Sequence, residues 1–289
     1  MSEAWSGWPA PAKLNLFLHV LGRRDDGYHE LETVFQLLDV GDRVEIRIRA
    51  DGKLVRTRGA PGVPEEQDLM LRAARKLRQV YGDDSLGADL ALDKRIPMGG
   101  GLGGGSSDAA TTLVALNRLW GLDRSEDELA GLALELGADV PLFVRGHSAF
   151  GRGRGDQLTP VSLPQRWFVV VDPGVSVATG ELFQAPDLTR NSPPTTIRRF
   201  FSGGSTTNVF EPVVRARYPA VAGALDWLGT HAEARLTGTG GCVFAGFEGE
   251  AEARNVATRC PGDFRSFVAR GLDESTLLVA LREYDAARI

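Results

Sequence analysis

Cysteine is scarce in this 289-residue chain, which contains only Cys242 and Cys260. Two cysteines cannot form the disulfide framework of a small secreted domain, and their spacing does not match that of zinc ligands. We therefore expect two reduced thiols in a cytoplasmic protein.

The chain also lacks an excess of basic residues, a leader segment and a long apolar run. Its 33 Lys and Arg residues face 38 Asp and Glu residues, which gives a net charge of -5. Binding along a nucleic-acid backbone requires the opposite balance, so we expect no nucleic-acid partner. No window approaches the roughly 18 apolar residues of a membrane span, and residues 1–13 lack a basic segment followed by an apolar core. We therefore expect no membrane partner.

Glycine, in contrast, is abundant, with 35 residues, and 43% of the chain is hydrophobic. This composition is typical of a globular protein with many turns. The length favours two domains. A change of pattern near Pro173 leads us to predict domains at residues 1–160 and 161–289.

The densest glycine run lies in the segment PMGGGLGGGSSDAA, residues 97–110, where six of the seven residues from Gly99 to Gly105 are glycine. Glycine permits positive φ angles and a close approach of the backbone to a ligand. The following Ser106-Ser107-Asp108 predicts a helix cap, and apolar spacing predicts a helix that continues to Trp120. A loop before a helix N-terminus suits a phosphate.

Several other segments have clear local signals. Residues 12–20 alternate as a strand that places Lys13 and Asn15 on one face, and residues 32–38 and 42–49 predict two further strands. Asp68 predicts the start of a helix. Ser125-x-x-Glu128 is a capping box for a helix that ends before Asp139, in a turn where a polar side chain can face a cleft.

Two familiar nucleotide motifs fit the glycine run poorly. Gly99-x-Gly101-x-x-Gly104, with Asp123 about twenty residues onward, satisfies the dinucleotide fingerprint. The preceding LALDKRIP is charged, however, whereas a strand before such a loop is nearly all apolar. The P-loop pattern is absent because no lysine follows the glycines.

Three stretches together identify a resemblance: PAKLNLFL at 11–18, PMGGGLGGGSSDAA at 97–110 and LTGTGGCVF at 236–244. In this order they resemble the GHMP kinase superfamily. Two extra glycines before Ser106, with GYHELETVFQLLD at 27–39 and LGADVPLFV at 136–144, resemble its branch that phosphorylates the 2-hydroxyl of a cytidine-diphosphate-linked methylerythritol in non-mevalonate isoprenoid biosynthesis. The implied fold is α+β with two lobes, an N-terminal mixed sheet with helices and a C-terminal ferredoxin-like α/β sandwich.

The resemblance implies roles for individual residues. Asp139 would accept or orient the proton of the attacking hydroxyl, beside Lys13, although a purely structural salt bridge is the alternative. Mg²⁺ is expected from the chemistry of phosphoryl transfer, and no protein ligands are assigned to it. The ATP phosphates would be held by the loop of Pro97, Met98, Gly99, Gly100, Gly101, Leu102, Gly103, Gly104, Gly105, Ser106 and Ser107.

The resemblance also implies a substrate site. Tyr28 and Phe183 would flank the cytosine, while His29 meets its edge. We expect only small-molecule partners and a monomer or homodimer. Arg152 and Arg154 are predicted to be solvated. The implied substrate-binding residues are Asn15, Tyr28, His29, Thr179, Phe183, Gly238, Thr239 and Gly240.

Two rival functions share these motifs. One is a kinase for another small alcohol, such as mevalonate or homoserine, against which Tyr28 and His29 argue. The other is a nucleotide sensor without catalytic activity. Activity assays with a panel of alcohols distinguish them.

Overall fold

A computed structural model describes residues 4–203 and 207–288 of the chain. Its first half forms a lobe in which helices pack against a mixed sheet. The elements are β1 (Ser6–Arg23), β2 (His29–Arg49), β3 (Leu54–Arg58), α1 (Leu69–Tyr81), β4 (Gly87–Asp93), α2 (Gly104–Leu119), α3 (Glu126–Leu136), α4 (Val140–Arg145), β5 (Ala149–Gly153) and β6 (Gln157–Pro160).

The second half forms an antiparallel sheet with helices packed on it, as the α/β sandwich prediction requires. None of the described helices has the length and apolar character needed to cross a bilayer. The elements are β7 (Trp167–Asp172), α5 (Thr179–Gln184), α6 (Ile197–Phe201), α7 (Glu211–Arg217), α8 (Pro219–Gly229), β8 (Arg235–Leu236), β9 (Val243–Phe247), α9 (Glu250–Ala257), β10 (Arg265–Leu272) and α10 (Thr276–Ala286).

The strands of both lobes join in one sheet. Its main order is β3-β4-β2-β10-β7-β9-β8, while β1 and β5 also pair with β2, and β6 pairs with β5. The lobes meet where Gly271 and Leu272 pair with Leu38 and Leu37. This mixed sheet with its helices confirms the α+β class.

The lobes are also linked by the last helix, α10. Leu277 is buried in the core of the first lobe, and the Tyr284 ring lies 5.1 Å from that of Trp8. The predicted boundary between residues 160 and 161 falls between β6 and β7 and stays a prediction. The chain thus returns to its first lobe after completing the second.

Two strand predictions needed correction. Residues 32–38 and 42–49 belong to one strand, β2, which continues through Gly41. A Cβ there would lie 2.2 Å from the carbonyl oxygen of Ala10, so glycine lets the neighbouring strand pass closely. The segment at 151–156 lies in the β5–β6 hairpin.

The predicted cap of α2 was wrong. The helix begins at Gly104, and its N-cap is Gly103, with φ of 74°, so Ser106, Ser107 and Asp108 lie inside the helix. The positive φ of Gly103 lets the helix begin before the chain reaches the serines. The predicted caps Asp68 and Ser125 are confirmed, the latter with a complete capping box.

A buried ion cluster fixes the start of α2 against β2 and β4. The Lys94 ammonium lies 2.6 Å from Asp42 Oδ2 and 3.0 Å from Asp108 Oδ2. The second Asp42 oxygen accepts hydrogen bonds from the backbone of Arg95 and Ile96, at 2.6 and 2.7 Å. Asp108 Oδ1, in contrast, has no hydrogen-bond partner.

The surroundings of Asp108 in this cluster change the pKa of its carboxyl group. Burial raises the pKa of Asp108 to about 8, against the opposing attraction of Lys94 and with added repulsion from Asp42. Two carboxylates share one ammonium here, so keeping a proton on Asp108 avoids an unpaired buried charge.

We predict that Asp108 makes stability depend on pH. Between the unfolded pKa of about 3.9 and the folded value, the folded chain binds more protons, so its contribution to the free energy of unfolding falls as pH rises. The loss approaches about 1.4 kcal/mol per pH unit in mid-window. Asp108→Asn should remove this slope, as urea unfolding between pH 5 and pH 8 can measure. Equal slopes in both proteins would contradict the prediction.

Candidate active site

Two cavities meet at the glycine loop, residues 97–105. The larger, of about 580 Å³, extends towards Tyr28 and Phe183, while the smaller, of about 270 Å³, extends towards Met70. Gly101 and Gly103 line both of them. The two cavities therefore adjoin at these two glycines, where ligands bound in each would come close together.

The larger cavity brings together residues predicted from distant parts of the sequence. It is lined by both residues predicted to be catalytic and by every residue predicted to bind substrate except Gly240. Ser106 lines it as well. The predicted residues on its walls are Lys13, Asn15, Tyr28, His29, Asp139, Thr179, Phe183, Gly238 and Thr239.

Lys13 is the most buried charge of this cavity, with only 3% of its surface exposed. Its ammonium donates hydrogen bonds to the Asn15 side-chain oxygen and, at 2.9 Å, to the carbonyl of Gly101, and it lies 3.5 Å from Asp139 Oδ2. Burial lowers the pKa of Lys13, and Asp139 opposes that effect. Three oxygen acceptors thus surround a cation that burial alone would destabilise.

Asn15 is oriented by its neighbours. Its side-chain amide donates to Thr33 Oγ1 at 2.8 Å, and its backbone N–H donates to Thr237 Oγ1 at 3.1 Å. The amide oxygen is therefore left to accept from Lys13. The shared face of Lys13 and Asn15, predicted from alternation, is confirmed by this contact.

Asp139 reaches the cavity from the N-terminus of α4, where it is the N-cap residue. Its side chain remains 34% exposed, in contrast to that of Lys13. The apolar residues that follow are buried in the first lobe and hold this short helix in place. The carboxylate is thus both accessible to a ligand and adjacent to a buried cation.

The glycine loop and the later loop at 237–241 lie in direct backbone contact. Gly241 and Cys242 donate hydrogen bonds to the carbonyls of Gly99 and Gly100, at 3.2 and 3.1 Å. A Cβ at Gly240 would lie 2.0 Å from the nitrogen of Gly101. Gly240 therefore packs between the loops rather than on the wall of the larger cavity.

The smaller cavity combines backbone N–H groups with apolar walls. Gly99, Gly101 and Gly103 all have positive φ, at 71°, 78° and 74°. Such alternation turns successive N–H groups towards one concave side, where an anion fits. The predicted loop residues on its walls are Pro97, Met98, Gly99, Gly100, Gly101, Leu102, Gly103, Gly104 and Gly105.

The two predicted serines differ in their surroundings. Ser106 lines the larger cavity, whereas Ser107 lines neither cavity and is completely buried. The Ser107 hydroxyl has no hydrogen-bond partner. Of the two hydroxyls, Ser106 is the one that a bound ligand can reach in this conformation.

Aromatic rings form the far end of the larger cavity. The rings of His29 and Phe183 lie 4.9 Å apart at an angle of 30°, and Phe183 also packs on Phe210. Since 4.9 Å is already a stacking distance, no base fits between His29 and Phe183. Tyr28 is 56% exposed on the same cavity, so part of its ring is accessible to a base.

Sequence reasoning missed two arginines at this end. Arg154, predicted to be solvated, lines the larger cavity, and its guanidinium lies 4.9 Å from the centre of the Tyr28 ring. The neighbouring Arg152 instead lies 3.3 Å from Glu32. Arg190 contacts both His29 and the end of α5. A Gly-Arg-Gly-Arg-Gly repeat is compatible with many turns, so the sequence contained no signal that separates the two hairpin arginines.

Comparison with known proteins identifies the family of this chain. The family model described as GHMP kinases N terminal domain matches residues 68–147, and the one described as GHMP kinases C terminal matches residues 187–265. A 4-diphosphocytidyl-2-C-methyl-D-erythritol kinase of Halorhodospira halophila is 56% identical over 282 residues, covering 96% of this chain and 97% of its own. The kinase of that name from Alkalilimnicola ehrlichii is 57% identical over 286 residues, covering 98% of each chain.

Solved structures give the same result. The crystal structure of a 4-(cytidine 5'-diphospho)-2C-methyl-D-erythritol kinase superposes with a TM-score of 0.80 at 32% identity, covering 92% of this chain and 99% of the other. A mevalonate kinase, with a TM-score of 0.68 at 15% identity over 94% of this chain and 100% of its own, shares the fold. The chain belongs to the 4-diphosphocytidyl-2-C-methyl-D-erythritol kinases, a family of the GHMP kinases.

Proposed function

We propose that the larger cavity binds 4-diphosphocytidyl-2-C-methyl-D-erythritol and the smaller one ATP. The chain is an ATP-dependent kinase of isoprenoid precursor biosynthesis, and the hydroxyl phosphorylated is the 2-hydroxyl. One observation carries this assignment of the cavities: Lys13 and Asp139 lie in the larger cavity beside Gly101 and Gly103, which also line the smaller. The enzyme would act in the cytoplasm as a monomer or homodimer.

Asp139 would orient the attacking hydroxyl and accept its proton. Phosphoryl transfer depends on alignment of the nucleophile and on stabilisation of charge more than on covalent chemistry by the protein. Lys13, whose ammonium lies 3.5 Å from Asp139 Oδ2, would stabilise negative charge developing on the hydroxyl oxygen. The oxygen atoms that accept hydrogen bonds from Lys13 would keep its ammonium in place during the reaction.

The glycine loop would hold the ATP phosphates through its backbone. The positive φ angles of Gly99, Gly101 and Gly103 and the N-terminus of α2 both favour an anion there. Leu69 and Met70 give the smaller cavity an apolar wall on which an adenine can pack. Pro97 to Gly105 would thus bind the nucleotide, with Ser106 at the border of the substrate cavity.

Mg²⁺ would accompany ATP. The described residues include no group of three or more His, Cys, Asp or Glu side chains arranged for a metal ion. We expect an ion held mainly by phosphates with one or two protein oxygens, the usual arrangement for Mg²⁺. The Ser106 hydroxyl and the Asp139 carboxylate, both on the larger cavity, are suitable donors. Bound Mg²⁺ neutralises phosphate charge.

The substrate would lie along the larger cavity with its cytosine at the aromatic end. Tyr28 and Phe183 would cover the base, and stacking of this kind is worth roughly 1 to 3 kcal/mol per base. His29 would meet the edge of the base. Arg154 provides a positive charge near Tyr28 for the diphosphate. Asn15, Gly238 and the hydrogen-bonded pair Thr179 and Thr239 would contact the linker and the sugar alcohol.

Asp139→Asn should remove catalysis but not nucleotide binding. Loss of a general base typically costs about 10²- to 10⁴-fold in turnover, whereas ATP contacts the glycine loop instead. Steady-state kinetics and ATP titration calorimetry measure the two quantities. The control is Asp127→Asn, because Asp127 is exposed and lines neither cavity. Turnover within about twofold of the original enzyme would remove Asp139 from the mechanism.

The choice of alcohol is tested by ADP release with a panel of acceptors. The cytidyl compound should be used at least about 10³-fold more efficiently than mevalonate or homoserine, which lack the base and diphosphate that the aromatic end would bind. Efficient use of mevalonate would reverse the substrate assignment. Binding of ATP without turnover of any acceptor would instead favour the sensor.

A further inference from the structure

Arg190 lies in the segment after α5 and forms an unusually complete set of contacts. One terminal nitrogen donates to the carbonyls of Phe183 and Ala185, at 2.8 and 2.7 Å, and the other to the carbonyl of Leu188 at 3.2 Å. Its Nε donates to His29 Nε2 at 3.4 Å. A single guanidinium therefore joins α5, the turn that follows it and the first residue of β2.

Two of the three carbonyl contacts, those to Phe183 and Ala185, stabilise the end of a very short helix. Helix α5 has only six residues, and the last carbonyls of a helix have no partners within it. A cation at this end also opposes the negative pole of the helix dipole. Because Phe183 lies in the last turn, Arg190 fixes the backbone that carries the Phe183 ring.

The fourth contact determines the protonation of His29. A guanidinium can only donate hydrogen bonds, so the His29 nitrogen that faces it must be the unprotonated Nε2. The imidazole is then neutral, with its proton on Nδ1. The charged groups near His29 are Arg190 and Arg23 of β1, and, after burial itself, these two cations lower the pKa of His29.

We propose that Arg190 is a positioning residue for cytosine recognition, which sets the Phe183 backbone and the His29 tautomer together. The inference rests on the proposed cytidine site, since His29 and Phe183 act there. Arg190 itself does not line the larger cavity. Lysine could not replace it fully, because one ammonium cannot reach four acceptors in a planar arrangement.

The tautomer is measured in the ligand-free protein by ¹⁵N NMR of the histidine side chains, with His29→Gln to identify the His29 signals. The original protein should show the Nδ1-protonated tautomer and a His29 pKa below the usual range. In Arg190→Gln the pKa should rise and the Nε2-protonated form should appear. An unchanged tautomer and pKa in Arg190→Gln would overturn the proposal.

Kinetics then test whether the positioning matters for the substrate. Loss of charged hydrogen bonds in Arg190→Gln should raise the KM for the cytidyl substrate about 10- to 100-fold, with kcat and the KM for ATP within about threefold. Arg190→Lys should lie between the two proteins. An equal change in all three parameters would indicate general loss of structure and contradict the proposal.

A matched control is Arg217→Gln. Arg217, the last residue of α7, lies 2.7 Å from Asp187, which belongs to the same segment as Arg190. Among the contacts described, Arg217 has none with His29 or Phe183. It should leave the substrate KM unchanged, and a rise equal to that of Arg190→Gln would overturn the specific role of Arg190. If His29→Gln and Tyr28→Ala both leave the substrate KM unchanged, the proposed cytidine site fails instead, whatever the tautomer of His29.

Discussion

The buried ammonium of Lys13 joins the parts of the chain from which the site is built. It contacts Asn15 on the same strand, the carbonyl of Gly101 in the glycine loop and the carboxylate of Asp139 before α4. A buried cation is tolerated only where acceptors surround it. The positions of strand, loop and helix are therefore coupled, because displacing any one of them would remove one of the three acceptors of Lys13.

The glycines permit this coupling by bringing backbones together. The loop at 97–105 meets the loop at 237–241 so closely that a side chain at Gly101 or Gly240 would overlap the other loop. Two cavities consequently share the walls formed by Gly101 and Gly103. Phosphoryl transfer requires direct, aligned contact between the hydroxyl oxygen and the terminal phosphate, so we expect a nucleotide and an alcohol to meet where the two cavities adjoin beside these glycines.

Local signals in the sequence predicted much of this molecule, but contacts between distant residues could not be predicted. Alternation placed Lys13 with Asn15, and the capping box located the helix before Asp139. The ion cluster of Asp42, Lys94 and Asp108 depends on tertiary packing between residues that are far apart in the sequence. Arg190, in a polar loop, resembles any solvated arginine until the fold brings it to His29 161 residues away.

A crystal structure with the cytidyl substrate and a non-hydrolysable ATP analogue tests the central claim most directly. The 2-hydroxyl oxygen should lie within hydrogen-bond reach of an Asp139 oxygen, roughly 2.6 to 3.2 Å, and face the terminal phosphate directly, beside Gly101 and Gly103. The cytosine should lie against Tyr28. A cytosine bound in the smaller cavity, or a 2-hydroxyl directed away from Asp139 in the closed complex, would contradict the account.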